Sequence, residues 1–243
     1  MCGIIGMISH ADVIPRMVES MARIPCQSQG SCGLATLSYS TIDVRKGLGR
    51  LQEVSQQCAF NLVESRISIA HVGKVVEGRI SRKNAQPHLS CDGKFAIVND
   101  GVISNSLRLK AELETNGRHF FFSDTNAEIF GHLLEETYRV SRSVEEAFVQ
   151  ALHRIEGDFA IAMTSNCEAP RIFCACNKRP LLIGTWAQTT FVASHGDPLQ
   201  LDRNFCLLPE GQYAVLSDQG YSVVSITQRD NKSFGPDSLI LNF

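Results

Sequence analysis

The first residues of the chain could supply a nucleophile without help from any distant part of the sequence. The chain begins Met1-Cys2-Gly3-Ile4-Ile5-Gly6, and we expect Met1 to be removed because Cys is small. The α-amine of Cys2 would titrate at about 7.7–8.0 and its thiol at about 8.5, so the amine can accept the thiol proton near neutral pH. This pairing predicts an N-terminal nucleophile. A small buried cysteine with a packing role is the alternative.

Two further stretches carry side chains that suit a reactive site. Asn99-Asp100-Gly101 follows the apolar run Phe95 to Val98, and its composition predicts a turn at the end of a buried strand. Ser123-Asp124-Thr125 precedes a helical pattern with Glu128 close behind, which is typical of a helix N-terminus. Asp124 could therefore cap that helix, bind a cationic group of a ligand, or do both.

Metal and cofactor sites are not predicted. The nine cysteines are scattered, contain no C-x-x-C pair and read as reduced thiols. Cys174 and Cys176 would share one face of a strand, but the sequence offers no second pair of metal ligands to complete a site with them. The remaining candidates, which we expect to be packed or solvated side chains, are His71, His88, His195, Asp197 and Asp202.

Composition excludes several classes of protein. The 243 residues carry a net charge of −2 and are 44% hydrophobic, so bulk charge gives no reason to bind nucleic acid or an anionic membrane. No apolar run reaches the roughly 18 residues of a membrane span, and the N-terminus lacks the pattern of a signal peptide. We expect a cytoplasmic protein with one domain over residues 1–226 and a tail over 227–243.

The order of local patterns predicts a layered α+β fold. Apolar positions repeat at helical spacing over 11–24, 104–116, 123–140 and 143–153. Strand patterns occupy 33–37, 67–71 and 95–98, a further strand and helix fall within 45–63, and six short apolar runs between 159 and 226 predict the antiparallel half of a sheet. Strands, then helices, then strands favour two stacked sheets with helices outside. Residues 72–90 form a long basic segment without clear periodicity.

Several motifs resemble those of class II glutamine amidotransferases, in family order over about residues 2–225. The likeness is greatest to the glutaminase domains of the glucosamine-6-phosphate synthase family. The matching stretches are Cys2–Gly6, Ser31–Ala35, Ile69–His71, Asn84–His88, Asp100–Ile103, Ser123–Thr125, Glu156–Ala160, Arg179–Gly184 and Phe191–Ser194. The resemblance implies the four-layer αββα sandwich of N-terminal-nucleophile hydrolases, in agreement with the element order.

The resemblance also implies roles for particular residues. Cys2 would attack the side-chain amide of glutamine, and an Asn-Gly pair would stabilise the oxyanion, but here that pair is Asp100-Gly101. An ionised Asp donates no hydrogen bond, and it could donate only if burial kept it protonated. Gly73 stands where the family has an Arg for the glutamine α-carboxylate, with Lys74 adjacent. Asp124 would pair with the α-amine, although a shifted alignment places Asn126 there.

Three functions are consistent with these residues. The first is a stand-alone glutaminase that releases ammonia for a separate synthase, because the chain stops where the family's linker to its sugar-isomerase half would begin. The second is an amidohydrolase or acyltransferase with the same nucleophile and another amide as substrate. The third is a catalytically silent relative that acts as a binding or regulatory subunit.

Overall fold

The computed structural model describes residues 3–24, 30–73, 80–115, 119–196 and 205–226, and these residues form thirteen strands and five α-helices. The strands are β1 Gly3–Ser9, β2 Ser31–Ser38, β3 Thr41–Leu48, β4 Ile67–Gly73, β5 His88–Leu89, β6 Phe95–Ile103, β7 Gly157–Ser165, β8 Ile172–Asn177, β9 Leu182–Trp186, β10 Thr189–Ala193, β11 Phe205–Leu207, β12 Gln212–Ser217 and β13 Gly220–Ser225. The helices are α1 Ile14–Arg23, α2 Leu51–Gln57, α3 Ser106–Thr115, α4 Asn126–Ser141 and α5 Val144–Leu152.

Two antiparallel sheets form the centre of the fold. The first has the order β11-β9-β10-β1-β4-β2-β3, and the second has the order β13-β12-β8-β7-β6-β5. In β1, Gly3 pairs with Val72 and Ile5 pairs with Ala193, so β1 is an interior strand with partners on both sides. The N-terminal segment is therefore held by backbone hydrogen bonds on both of its edges.

Alternating side chains along the strands divide the apolar residues among three cores. In β1, Ile4 and Ile8 face the second sheet, whereas Ile5 and Met7 face α1. The second sheet packs its other face against α3, α4 and α5. The layer order is thus helix, sheet, sheet, helix, which confirms the predicted αββα sandwich.

Local sequence explains where the helices begin and end. Pro15 occupies the first turn of α1, where its missing N–H costs no hydrogen bond. Ser143 caps α5 by accepting a hydrogen bond from the Glu146 N–H at 3.3 Å, as its position predicts. No helix in the described ranges is long and apolar enough to cross a membrane.

Two local predictions were wrong. The chain does not turn at Asn99–Gly101, because β6 continues to Ile103 and pairs with β7 as far as Gly157. The strands after residue 157 do not form one half-sheet, since β9, β10 and β11 join β1 in the first sheet while β7, β8, β12 and β13 lie in the second. Apolar periodicity specifies a strand but not its partner, and this explains both errors. The tail at 227–243 lies outside the described residues.

Candidate active site

The N-terminal end of β1 is held in place by the segment that follows β10. The Ile4 N–H donates to Ser194 Oγ at 3.0 Å, and the Ser194 N–H donates back to the Ile4 carbonyl at 3.0 Å. Ser194 Oγ also lies 2.9 Å from His195 Nδ1. A Cβ on Gly3 would lie 2.7 Å from Ile24 Cδ1 and 3.3 Å from His195 Nδ1, so this position favours glycine. Cys2 itself lies outside the described residues.

Asp100 lies on the face of β6 that is turned towards the first sheet, because Ala96 and Val98 on the same face belong to the inter-sheet core. Its side chain is only 12% exposed, and Arg179 Nη1 lies 4.0 Å from its Oδ2. Burial raises the pKa of the Asp100 carboxyl, while the charges of Arg179 and His195 oppose that shift. His195 is thus close enough to influence Asp100 and also lies beside Gly3.

Gly101 occupies a backbone conformation that a side chain would not tolerate. Its φ is +109°, and a Cβ at this position would overlap the carbonyl oxygen of Asp158 on β7. The residue pairs with Phe159, so the close approach is part of the sheet itself. Gly101 therefore lets β6 bend beside Asp100 while keeping its pairing with β7.

Replacing Gly101 with alanine is expected to destabilise the domain by about 3 kcal/mol or more, because both the left-handed φ and the overlap with Asp158 must be relieved. The matched control is Gly93→Ala, where φ is +68° but nothing lies within 4 Å of the added Cβ. That change should cost about 1 kcal/mol. Urea unfolding of both variants measures the difference, and equal losses would contradict the steric argument.

Asn99 lies on the opposite face of β6 and cannot replace Asp100 as a donor towards the first sheet. It is buried on the side of Phe95 and Ile97, which pack against the helices. Its N–H donates to Gln86 Oε1 at 2.7 Å, and its carbonyl accepts from Gln86 Nε2 at 2.8 Å. This reciprocal pair ties β6 to the segment that contains Gln86.

The segment from Asn84 to Pro87 connects the two halves of the candidate site. Asn84 Nδ2 donates to Asp124 Oδ2 at 3.3 Å, and the Asp124 N–H donates to Asn84 Oδ1 at 3.1 Å. Lys46 Nζ donates to the carbonyls of Ala85 and Pro87 at 2.6 and 3.0 Å. A chain of direct contacts therefore runs from Asp124 through this segment to the backbone of β6 beside Asp100.

A lysine holds this segment against the first sheet. Burial lowers the pKa of Lys46 to about 8, a shift that the charge of Glu128 opposes. Gly33 on β2 lies under the same segment, because a Cβ there would overlap the carbonyl oxygen of Gln86. The motif Ser31–Ala35 thus contains a glycine whose absent side chain makes room for the connecting segment.

Asp124 is not the residue that caps α4, in contrast to the sequence-based interpretation. The helix begins at Asn126 with Thr125 in the N-cap position, and the N–H groups of Phe122 and Ser123 donate to Glu128 at 2.7 Å each. Glu128 therefore binds the segment that precedes the helix, and Asp124 is an exposed residue in that segment. Asn126 is 3% exposed, which makes it the less accessible of the two aligned candidates.

Asp124 borders a cavity of about 290 Å³ between α3 and the start of α4. Its other lining residues are Ser106, Leu107, Lys110, Phe121, Ser123, Thr125, Asn126 and Ile129. A carboxylate at the rim of such a space could pair with an ammonium group of a small ligand.

The position that aligns with the family's arginine offers no side chain. Gly73 is the last residue of β4 and pairs with Ser31, whose Oγ donates to the Gly73 carbonyl at 3.4 Å. No bidentate fork for a carboxylate can come from this position. Lys74, Asp197 and Asp202 lie outside the described residues, so their predicted roles stay predictions.

The histidines considered in the sequence have different environments. Burial lowers the pKa of His71 to about 4 and that of His88 well below its ordinary value, so both rings are neutral. Within the described ranges, His71 Nδ1 and His88 Nε2 have no hydrogen-bond partner. His195 lies at the site, beside Gly3.

Sequence reasoning did not assign roles to Lys46, Asn84, Gln86 or Arg179. The motif Asn84–His88 contains two of these residues and the motif Arg179–Gly184 contains a third. Lys46 lies in no motif. Cys174 and Cys176 are buried in the inter-sheet core, where Cys176 Sγ contacts the Leu208 carbonyl at 3.4 Å. Both thiols therefore have a packing role.

Comparison with known proteins identifies the family. Residues 74–200 match the model of the glutamine amidotransferase domain, and this is more than half of the chain. The chain belongs to the glutamine amidotransferase family. The match includes Asp100, Gly101 and Asp124, whereas Cys2 and Gly73 precede it.

Curated relatives of this amidotransferase domain are longer than the chain. Glutamine–fructose-6-phosphate aminotransferase (isomerizing) of Thermococcus kodakarensis is 34% identical over 227 residues, which are 93% of this chain and 38% of that protein. The enzyme of the same name from Pyrococcus horikoshii is 33% identical over 227 residues, which are again 93% of this chain and 38% of that protein. The chain thus spans well under half of the length of these relatives.

Solved structures confirm the fold of the amidotransferase domain. Glutamine phosphoribosylpyrophosphate amidotransferase from B. subtilis, complexed with ADP and GMP, aligns with a TM-score of 0.81 at 21% identity, covering 96% of this chain and 50% of that one. A glutamine aminotransferase class-II domain protein from Silicibacter pomeroyi aligns with a TM-score of 0.63 at 9% identity, covering 93% of this chain and all of that one. The αββα sandwich is therefore the fold of these amidotransferase structures.

Proposed function

We propose that this domain hydrolyses the side-chain amide of glutamine with Cys2 as an N-terminal nucleophile and releases ammonia for a synthase. The observation that carries the proposal is the meeting of two strand segments from facing sheets. Ile4 on β1 and Val98 on β6 pack into the same inter-sheet core, and His195 lies beside Gly3. Cys2 is covalently attached to Gly3, with their Cα atoms about 3.8 Å apart.

The chemistry follows from the groups proposed for the site. The Cys2 thiolate attacks the amide carbon of glutamine, and the carbonyl oxygen becomes an oxyanion near Asp100 and Gly101. The carbon–nitrogen bond then breaks as the protonated α-amine gives its proton to the leaving nitrogen, and ammonia departs. Water attacks the thioester, and glutamate and the free thiol are released.

Substrate binding would use the other half of the site. Asp124 is exposed and its carboxylate is oriented by Asn84, which supports pairing with the α-amine of glutamine. Because Gly73 has no side chain, Lys74 is our candidate for the α-carboxylate. A single ammonium would bind that group less specifically than a guanidinium fork.

The ammonia acceptor is proposed from the relatives. The names of the relatives from Thermococcus kodakarensis and Pyrococcus horikoshii describe aminotransferases that act on fructose 6-phosphate, and the chain aligns with 38% of their length. We infer that a synthase uses the ammonia, either as a separate polypeptide or as a region joined to this domain. Co-purification of a sugar-phosphate isomerase with this chain would support a separate partner.

A second candidate function is hydrolysis of an amide other than free glutamine. Gly73 favours it, because a substrate without an α-carboxylate would not need the missing arginine. Cys2 and the oxyanion region would act in the same way. Ammonia release from a panel of primary amides would separate the two candidates, since only the first gives glutamine the highest kcat/KM.

Mass spectrometry with the glutamine analogue diazo-oxo-norleucine tests the proposed function. The intact mass of the untreated chain should correspond to loss of Met1, and the analogue should add one covalent group at Cys2. Tandem mass spectrometry locates the group, and an excess of glutamine should prevent its addition.

An exposed cysteine provides the internal control for that experiment. Cys206 is exposed, so a reagent that modifies any thiol would label it as well. Labelling that glutamine does not prevent, or that occurs equally at Cys206, would argue against a glutamine site. A processed N-terminus without labelling or ammonia release, even with the synthase present, would favour a silent binding subunit.

A further inference from the structure

Four side chains with metal-binding atoms converge at the edge of the second sheet. They are Cys91 in the turn between β5 and β6, His119 in the segment before α4, and His132 and Glu135 on α4. One ligand atom from each lies within 4.8 Å of the others. His119, His132 and Glu135 are buried, whereas Cys91 is exposed.

Four separations between these atoms, from 2.9 to 4.0 Å, bracket those of a tetrahedral zinc site. Cys91 Sγ lies 3.4 Å from His132 Nδ1 and 4.0 Å from His119 Nδ1. Glu135 Oε2 lies 2.9 Å from His119 Nδ1 and 3.3 Å from His132 Nδ1. Zinc bonds of about 2.0–2.3 Å in tetrahedral geometry separate neighbouring ligand atoms by about 3.3–3.6 Å.

Neighbouring groups orient the proposed ligands. His119 Nε2 lies 2.9 Å from Glu136 Oε1, and that carboxylate also accepts from Arg139 at 3.0 Å. The second oxygen of Glu135 accepts from the Asp92 N–H at 2.7 Å. A carboxylate on the far nitrogen of a histidine is the usual partner of a metal-binding imidazole, because it fixes the ring orientation.

Charge gives an independent reason for a cation. The side chain of Glu135 is 1% exposed and lies beside His119, His132 and both the N–H and the carboxyl group of Asp92; among the described residues it forms no ion pair with Lys or Arg. His132 Nε2 is also buried without a hydrogen bond in the described structure, and Glu128 Oε1 lies 3.9 Å away. A buried carboxylate without a cation is costly. A divalent ion with a thiolate and one carboxylate would make the cluster neutral.

We propose that Cys91, His119, His132 and Glu135 bind one divalent transition-metal ion, with zinc as the preferred ion, in a closed structural site. Sulfur, imidazole and carboxylate donors together suit zinc better than the all-oxygen ligands of magnesium or calcium. Because four protein ligands fill the tetrahedron, no position is left for a water or a substrate, and the ion has no catalytic part.

The ion would fasten three separate pieces of chain to one another. It would join the β5–β6 turn to α4 and to the segment 119–125, which has no regular secondary structure. That segment ends at Ser123-Asp124-Thr125, so the ion would stabilise the backbone that presents Asp124. The proposal does not depend on glutamine chemistry, because the ligands lie outside the proposed catalytic groups.

Metal analysis tests this site without an activity assay. The full chain carrying Cys2→Ala is purified from zinc-supplemented medium, so that the N-terminal amine and thiol cannot chelate an ion. We expect about one zinc per chain, and cobalt(II) in its place should give the thiolate charge-transfer band and the visible bands of tetrahedral cobalt. Zinc in excess should raise the Tm of the apo chain by about 5–10 °C.

Variants with matched controls locate the ion. Cys91→Ser should lose the charge-transfer band and weaken zinc binding by about 100-fold or more, and Glu136→Gln should weaken it about 10–100-fold by releasing His119. Cys206→Ser, at another exposed cysteine, and His153→Asn, at an exposed histidine, should bind zinc as the parent does.

Alkylation of the unmutated ligands gives a readout that does not depend on the folding of any ligand variant. Iodoacetamide should modify Cys91 in the apo chain and spare it when zinc is present, while Cys206 is modified in both states. The proposal fails if the parent chain binds no zinc, if Cys91→Ser retains the parent affinity, or if zinc leaves Cys91 fully reactive. Those results would identify a hydrogen-bonded cluster only.

Discussion

Replacing Asp100 with asparagine is expected to increase the kcat of glutamine hydrolysis by about 10–100-fold. One oxyanion donor is typically worth about 10²–10³ in rate, and an ionised Asp supplies none. The side chain faces the first sheet and is mostly buried, so an amide there could point at the oxyanion without rearrangement of β6. Steady-state ammonia release measures the change.

The pH profile provides a second measure of the same residue. Because burial raises the pKa of the Asp100 carboxyl, the protonated form persists to higher pH and can donate only below that pKa. The kcat of the natural chain should therefore fall as the pH rises through this pKa, and Asp100→Asn should remove that decline. Asp158→Asn removes an exposed charge on the neighbouring strand and should change neither measure. A loss of activity in Asp100→Asn would show that the carboxylate contributes to catalysis in another way.

Replacing Cys2 with alanine should reduce ammonia release by at least about 10⁴-fold, because no other group can form the thioester. Cys2→Ser keeps a nucleophilic atom, but a hydroxyl is far less acidic than a thiol and is a poorer nucleophile with the same amine as base, so its activity should lie far below that of the natural chain. Labelling by the glutamine analogue should disappear in Cys2→Ala.

Two controls keep the Cys2 result specific. Cys206→Ala removes an exposed thiol from β11 and should leave kcat and the Tm unchanged. A preparation that retains Met1 should be as inactive as Cys2→Ala, because its α-amine has become an amide that cannot accept a proton. Activity in that preparation would rule out the N-terminal amine as the base.

The layers of the fold could be predicted from local pattern, but the pairing of its strands could not. The alternating apolar residues of β1 and the helical spacing of apolar residues in α1 follow from which face of each segment is buried, so each pattern can be recognised within its own segment. β9 and β10 follow β8 in sequence but join the first sheet, and the apolar alternation within these strands does not distinguish one sheet from the other. The continuation of β6 through Gly101 likewise depends on β7, whose carbonyl at Asp158 excludes a side chain there.

The candidate site was partly readable because its motifs are short and contiguous. Asp100, Gly101 and Asp124 were predicted in this way, and their roles stay predictions. Lys46 was not, since its interaction is with two carbonyls about 40 residues further along the chain. The cluster around Cys91 was missed for a similar reason, because its cysteine is 28 residues from the first histidine and only His132 and Glu135 share a helix turn.

The core between the sheets is rich in small side chains, including Ala35, Ala96, Ala160, Ala162 and Ala214. Because these side chains are small, the backbones of β1 and β6 can pack close together in the interior of the sandwich. A larger residue at one of them would push the two sheets apart and so move Gly3, to which Cys2 is bonded, away from Asp100 and Gly101. In the proposed reaction, the separation between the nucleophile and the oxyanion site would thus depend on residues that do not contact the substrate.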